Sequence, residues 1–309
     1  MLKFLYMTPF KKRETLIQNI TYMAIMASVN VIFVLLTTFI PVLFFLLVFV
    51  LPLTSAIVTL YCKKRYFPIY ALATIALCLI CTIWKIDDTI FYVIPSIATG
   101  FIFGLLAEKK VPALWIITIT TVLQIGFTYA SIPLVKLITG QNIIMVFATA
   151  FGINDFVYLD YVVPSFIFFM ALGQQIISYS VIREELPKFG YSLNEPKALD
   201  LSLFISLMSF LVLTLVFAFI YGPLAYLFGM FALLFGIYAL VILIMENNKI
   251  VYISLGGSAL ASIFLFALLY PLAKQPLGLL FVNVFFFLVA IIVLINNYLL
   301  RKNNKGTIE

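Results

Sequence analysis

The sequence predicts an all-α integral membrane protein of about ten transmembrane helices, with both termini cytoplasmic. Three observations carry this. The chain is 65% hydrophobic and only 10% charged, with a mean hydropathy of +1.20, whereas soluble proteins carry roughly 25% charged residues. Its apolar runs have the length of ~20 residues that a helix needs to cross the hydrocarbon layer. They are continuous, where barrel strands would alternate polar and apolar. Finally, the basic residues fall almost entirely on one side of the predicted membrane.

The elements follow in order. Residues 1–15 mix Leu2, Phe4, Leu5, Tyr6 and Phe10 with Lys3, Lys11, Lys12 and Arg13. That is the composition of an interfacial segment with its basic side towards acidic head groups. Lys11-Lys12-Arg13 precedes apolar sequence far longer than a signal core, and no A-x-A site ends it, so no cleaved signal peptide is expected. Spans are predicted at 16–36, 40–61, 67–84, 89–107, 112–135 and 158–182. The stretch Ile143 to Phe151 between the last two is too short to cross. A polar run from Arg183 to Lys197, with Pro187, Gly190 and Pro196 inside it, then stops the helices. Four more spans are predicted at 199–220, 222–245, 250–270 and 277–300. The expected organisation is therefore an interfacial segment 1–15, a six-span module 16–182, a cytoplasmic hinge 183–198, a four-span module 199–300 and a cytoplasmic tail 301–309.

With an inside N-terminus and ten spans, all of the 19 basic residues except Lys85, Lys136 and Lys274 lie inside. This satisfies the positive-inside rule throughout, and it accounts for the net charge of +7 without a nucleic-acid partner. The outer connections carry Asp87, Asp88, Asp155 and Asp160.

The chemistry-bearing residues are few. The chain has no histidine, which removes histidine triads, metal sites and proton relays. Cys78-Leu-Ile-Cys81 has redox spacing but lies in an apolar run with no basic neighbour, so packing is its expected role. Ionisable residues sit at span ends, and the polar residues within spans are amides: Asn30, Gln124, Gln174, Gln175, Asn283, Asn296 and Asn297. Helix–helix hydrogen bonding is their ordinary role. No catalytic residue, metal site or cofactor is expected. There is no Gly-x-x-x-x-Gly-Lys-Ser/Thr loop, so any use of ATP requires a partner.

The best candidate ligand site is the outer connection 150–161. There Asn154, Asp155, Tyr158, Asp160 and Tyr161 cluster acceptors with aromatic faces, which suits a small polar or cationic ligand. Asp87 and Asp88 lie on the same side. An interfacial aromatic belt with solvated acids, and a loop with a helix N-cap, are the plainer readings of these two groups. Small residues repeat at four-residue spacing in two spans: Ala24 and Ser28 with Ala27 beside them, and Ser96, Gly100 and Gly104. Such spacing lets helix backbones approach closely, with a neighbour in the same chain as the first expectation.

The first six spans, the inside N-terminus and the small-residue face Ala24-Ile-Met-Ala27-Ser28 resemble a substrate-binding S component of energy-coupling-factor (ECF) vitamin transporters. The whole chain, with its four added spans, resembles the YybS-like family of Gram-positive membrane proteins. The resemblance implies a six-helix S-component-like half plus four C-terminal helices in a bacterial plasma membrane. It implies that Ala24, Ala27 and Ser28 dock an ECF coupling subunit carrying its own ATPases. It also implies that residues 36–40, 85–89 and 136–157 cover a solute taken from outside. A structural or regulatory membrane protein with cytoplasmic contact surfaces is the alternative. A lipid-headgroup enzyme, with the outer aspartates as its only acids, is a third and weaker reading.

Overall fold

The computed structural model describes residues 12–40, 43–150, 152, 156–185, 201–245, 249–269 and 285–295, and among these every element is helical. In chain order they are α1 (Leu16–Phe39), α2 (Phe44–Tyr61), α3 (Phe67–Cys81), α4 (Ile86–Asp88), α5 (Ile94–Glu108), α6 (Ala113–Thr139), α7 (Ile143–Ala150), α8 (Phe156–Glu185), α9 (Leu201–Ile220), α10 (Gly222–Met245), α11 (Lys249–Leu269) and α12 (Phe285–Ile295). A π-helical turn, Thr89–Val93, joins α4 to α5. Among the described residues, seven helices are long and apolar enough to cross a membrane. Val50–Tyr61, Tyr252–Ala261 and Phe285–Ile295 are shorter apolar stretches. This fits a multi-pass membrane protein. Residues 1–11, the hinge from 186 on, the tail 301–309, Asn283, Asn296 and Asn297 lie outside the described residues.

The chain forms two compact units, residues 1–159 with 166–196, and residues 160–165 with 197–309. The first is organised on the packing of α2 against α5. A Cβ added at Gly104 would lie 2.6 Å from Thr59 Cβ and 2.8 Å from the Ala56 carbonyl oxygen. One added at Gly100 would meet the Pro52 carbonyl oxygen and lie 2.6 Å from Ser55 Cβ. Hydrogen in place of a side chain is what lets the two backbones come this close. The expected small-residue face of this span is therefore an internal one.

Helices α1 and α3 cover α2, and a buried polar network pins all three. Asn30 Nδ2 donates to Tyr70 Oη at 2.8 Å, and Thr54 Oγ1 donates to Asn30 Oδ1 at 2.7 Å. Tyr70 Oη lies 3.3 Å from Thr54 Oγ1 and 3.4 Å from Ser55 Oγ. Asn30 thus has the helix-joining role expected of it. Met23, Ala27, Val34, Leu51 and Cys78 pack around this network. Ala27 is buried in that core, whereas Ala24 and Ser28 lie exposed on the opposite side of α1.

One end of this unit gathers basic residues expected on the cytoplasmic side. Thr15 and Gln18 close a capping box at the start of α1. Asn19 Nδ2 donates to the Arg13 carbonyl at 2.9 Å, and its Oδ1 accepts from the Lys63 amide at 2.8 Å. Glu108 pairs with Lys12 at 3.1 Å and with Lys64 at 3.0 Å. The Arg13 guanidinium sits 3.5 Å from the Tyr22 ring centre. Three segments that the charge rule assigns to one side therefore meet at one end of the bundle.

In the second unit, α9 and α10 form a hairpin across Tyr221 and pack through aromatic rings. Phe210 stacks on Phe231 at 5.2 Å and on Phe235 at 5.4 Å. The Phe286 ring of α12 lies against Gly236, where a Cβ would collide with it.

Two stability predictions follow from these contacts. Gly104→Ala should cost about 1–3 kcal/mol, because the obstructing atoms include backbone. Gly126→Ala on the exposed side of α6 meets nothing within 4 Å and should stabilise by about 0.5–1 kcal/mol. Thermal unfolding in detergent compares the two, and equal effects would refute the close-packing account. Tyr70→Phe leaves Asn30 Nδ2 without its acceptor and should cost about 1–3 kcal/mol in the same assay.

Candidate functional site

A cavity lies within the first unit where the π turn, α5, α6 and α8 converge. Its walls are Phe91, Tyr92, Ser96, Gln124, Thr128, Phe166, Ile167, Met170, Ala171 and Gln174. Its volume is about 30 Å³, on a scale where one water takes about 10–15 Å³.

Each wall has a local cause. A π turn is rare and is most often found at functional sites. Here it carries Phe91 and Tyr92, whose rings meet edge to face at 4.7 Å. The turn is anchored by Thr89, whose hydroxyl lies 3.2 Å from that of Thr82. Gly140 takes φ +72° at the end of α6, which lets the chain leave the helix there. The following α7 places Phe147 at 6.5 Å from Phe91 and 5.0 Å from Phe166. Phe147 thus bridges two lining rings from outside the cavity.

The polar part of the wall is made of neutral side chains. Thr99 bonds to Gln124, which ties α5 to α6. Gln174 Nε2 donates to Ser96 Oγ at 3.0 Å, which ties α8 to the first turn of α5. No ionisable carboxyl, amine or guanidinium lines the cavity. The arrangement offers hydrogen bonds to an uncharged group and aromatic faces to a flat one, and it holds no set of groups for acid–base chemistry. No group of metal-ligating side chains occurs among the described residues.

The residues singled out from the sequence are distributed differently. Asn154 and Asp155 lie outside the described residues. Tyr158 and Asp160 fall on the first turns of α8, with their side chains outside the described set. Tyr161 belongs to the second unit, where its ring lies 6.1 Å from that of Tyr226. Asp87 is half-buried on α4, and the side chain of its neighbour Asp88 is outside the described set. None of these residues lines the cavity. Sequence reasoning treated Gln124 and Gln174 as packing groups and did not foresee Tyr92, Thr128 or Met170. The available signal was a polar spacing of three or four shared by three helices: Ser96 with Thr99, Gln124 with Thr128, and Gln174 with Ser178.

No protein-family model matches this chain, and no curated protein or solved structure matches it.

The cysteines are remote from the cavity. Burial pushes the Cys62 thiol above its ordinary pKa, against the opposing pull of Arg13 and Lys12. Cys78 is fully buried and Cys81 half-buried, both with free thiols. Maleimide labelling of folded protein at neutral pH should therefore modify Cys81 well before Cys62 or Cys78. Rapid modification of Cys62 would contradict its burial.

Proposed function

We propose that this chain is a ten-span protein of a bacterial plasma membrane, with both termini cytoplasmic, whose six-helix half binds a small uncharged solute for uptake. In this reading it acts as an S-component-like subunit, and a separate ECF-type coupling subunit with its ATPases drives the movement. The observation that carries the reading is the cavity itself. It is walled by a π turn and by amide side chains on three helices of the half that resembles an S component. Placement of hydrogen-bonding groups inside a membrane bundle, without charge, suits a neutral ligand better than an ion. The exposed Ala24 and Ser28 on α1 add a lipid-side surface where a partner helix can approach closely.

A second reading rests on the size of the same cavity. Ligand pockets run to about 300–1,000 Å³, and 30 Å³ admits about two waters. A vitamin-sized solute requires the π turn or α8 to move. Without such movement the chain is a structural or regulatory membrane protein whose polar interior serves packing alone.

Purification of tagged protein in mild detergent, with mass spectrometry of co-purifying proteins, separates the two. Recovery of a coupling subunit and its ATPases is expected, and Ala24→Leu should abolish it while the protein stays monodisperse. Recovery of the protein alone would remove the transport assignment. A reporter fused to the C-terminus should be active only on the cytoplasmic side, as an even number of spans requires.

A further inference from the structure

Five buried side-chain atoms have no hydrogen-bond partner among the described residues: Thr118 Oγ1, Thr121 Oγ1, Ser178 Oγ, and both Oε1 and Nε2 of Gln175. Thr121 and Gln175 are fully buried, and Ser178 and Thr118 are 1% and 4% exposed. All four residues sit on α6 and α8, the two helices that face each other across the cavity.

Their position can be derived from the helix register. Gln174 bonds to Ser96, and further along the Phe103 and Tyr179 rings lie 6.4 Å apart. The partners advance together along both chains, so α8 runs parallel to α5. Helix α6 follows α5 after a short turn and bonds back to it through Gln124 and Thr99, so it runs antiparallel to both. Thr121 precedes Gln124 by three residues, and Ser178 follows Gln174 by four. Both steps lead the same way, one turn out of the cavity. Beyond them, Phe103, Ala107, Ile116, Tyr179 and Ile182 form a closed apolar cluster. The four residues therefore occupy a polar layer between the cavity and an apolar plug.

Five unmet polar atoms in a membrane interior cost far more than a few partners of the right kind. The kind is set by the atoms. A bare cation would satisfy the four oxygens but leave the Gln175 Nε2 donor unmet, and an anion would leave its Oε1 acceptor unmet. Only a neutral group that both donates and accepts meets all five.

We propose that Thr118, Thr121, Gln175 and Ser178 form a deeper subsite, continuous with the cavity, that takes a neutral hydroxyl or carboxamide group and is filled by water otherwise. The assignment of a solute group rests on the binding reading above; the hydration does not. It narrows the solute to an uncharged molecule with a flat or apolar part for Phe91, Tyr92, Phe166 and Met170, and a hydroxyl or amide end for this layer.

X-ray hydroxyl-radical footprinting of the full chain in lipid nanodiscs tests this, because radicals form in place from water held inside a protein. Tyr179 borders the layer, while Tyr70 is buried in a completed hydrogen-bond network of the same unit. Tyr179 should be oxidised several-fold faster than Tyr70. Gln175→Leu combined with Thr121→Val should bring it down to the Tyr70 rate, and Ser178→Ala alone should lower it partly if the double variant fails to fold. Equal rates in the unmodified chain overturn the subsite. So does fast Tyr179 oxidation that no variant slows, since its water would then come from solvent. Benzamide and benzyl alcohol should slow Tyr179 oxidation where toluene does not. Fast oxidation that neither polar probe slows overturns the solute assignment and leaves a water site.

Discussion

Lipid offers no hydrogen bonds, so every polar group inside the bundle must be met from within the protein. The helices satisfy the backbone outright, and the side chains are where the constraint becomes informative. Around Asn30 it is fully obeyed: three helices contribute Tyr70, Thr54 and the amide, and the network closes on itself. Around Gln175 it is not obeyed by protein atoms. The two amides are alike in the sequence and opposite in role. A closed network fixes helices in place, whereas an open one provides room and partners for something else.

The open layer depends on the close packing beside it. Gly100 and Gly104 bring α5 against α2 at backbone distance. The same helix then presents Ser96 and Thr99 to α8 and α6 through the bonds to Gln174 and Gln124. Glycine on one side and short hydroxyl side chains on the other make α5 the element shared by the core and the cavity. The π turn adds one residue where α5 begins, which changes the phase of Phe91 and Tyr92 relative to the helix that follows. Large aromatic residues thereby share a wall with small polar ones.

Much of the helical layout was legible in the sequence, because the length of an apolar run measures membrane thickness. The predicted span 112–135 became Ala113–Thr139, and 222–245 became Gly222–Met245. The eight-residue α7 falls where a run too short to cross was expected. The site was less legible. Acids and aromatic residues in an outer loop draw attention because each is chemically conspicuous. Gln124, Gln174 and Ser96 are not conspicuous singly, and only the register of three helices brings them to one place. The π turn has no signature in composition or spacing. Small-residue spacing also carried less than it promised: Ala24, Ala27 and Ser28 form one patch in sequence, yet Ala27 is buried in the core while Ala24 and Ser28 are exposed.

That division of α1 bears on how binding and partner contact would be linked. The buried side of the helix is held to α2 and α3 through Asn30, and the start of α1 is held through Asn19 to Arg13 and Lys63. A partner resting on Ala24 and Ser28 would therefore press on a helix fixed at two levels to α2. Because α2 is locked to α5 through Gly100 and Gly104, displacement of α1 reaches the cavity by rigid-body motion of α2 and α5 rather than by bending. The cavity wall that α5 does not carry rigidly is α8, whose tie at Ser96 is a single hydrogen bond. Opening for a solute larger than water thus requires the smallest change at α8, on the side of the cavity away from the docking face.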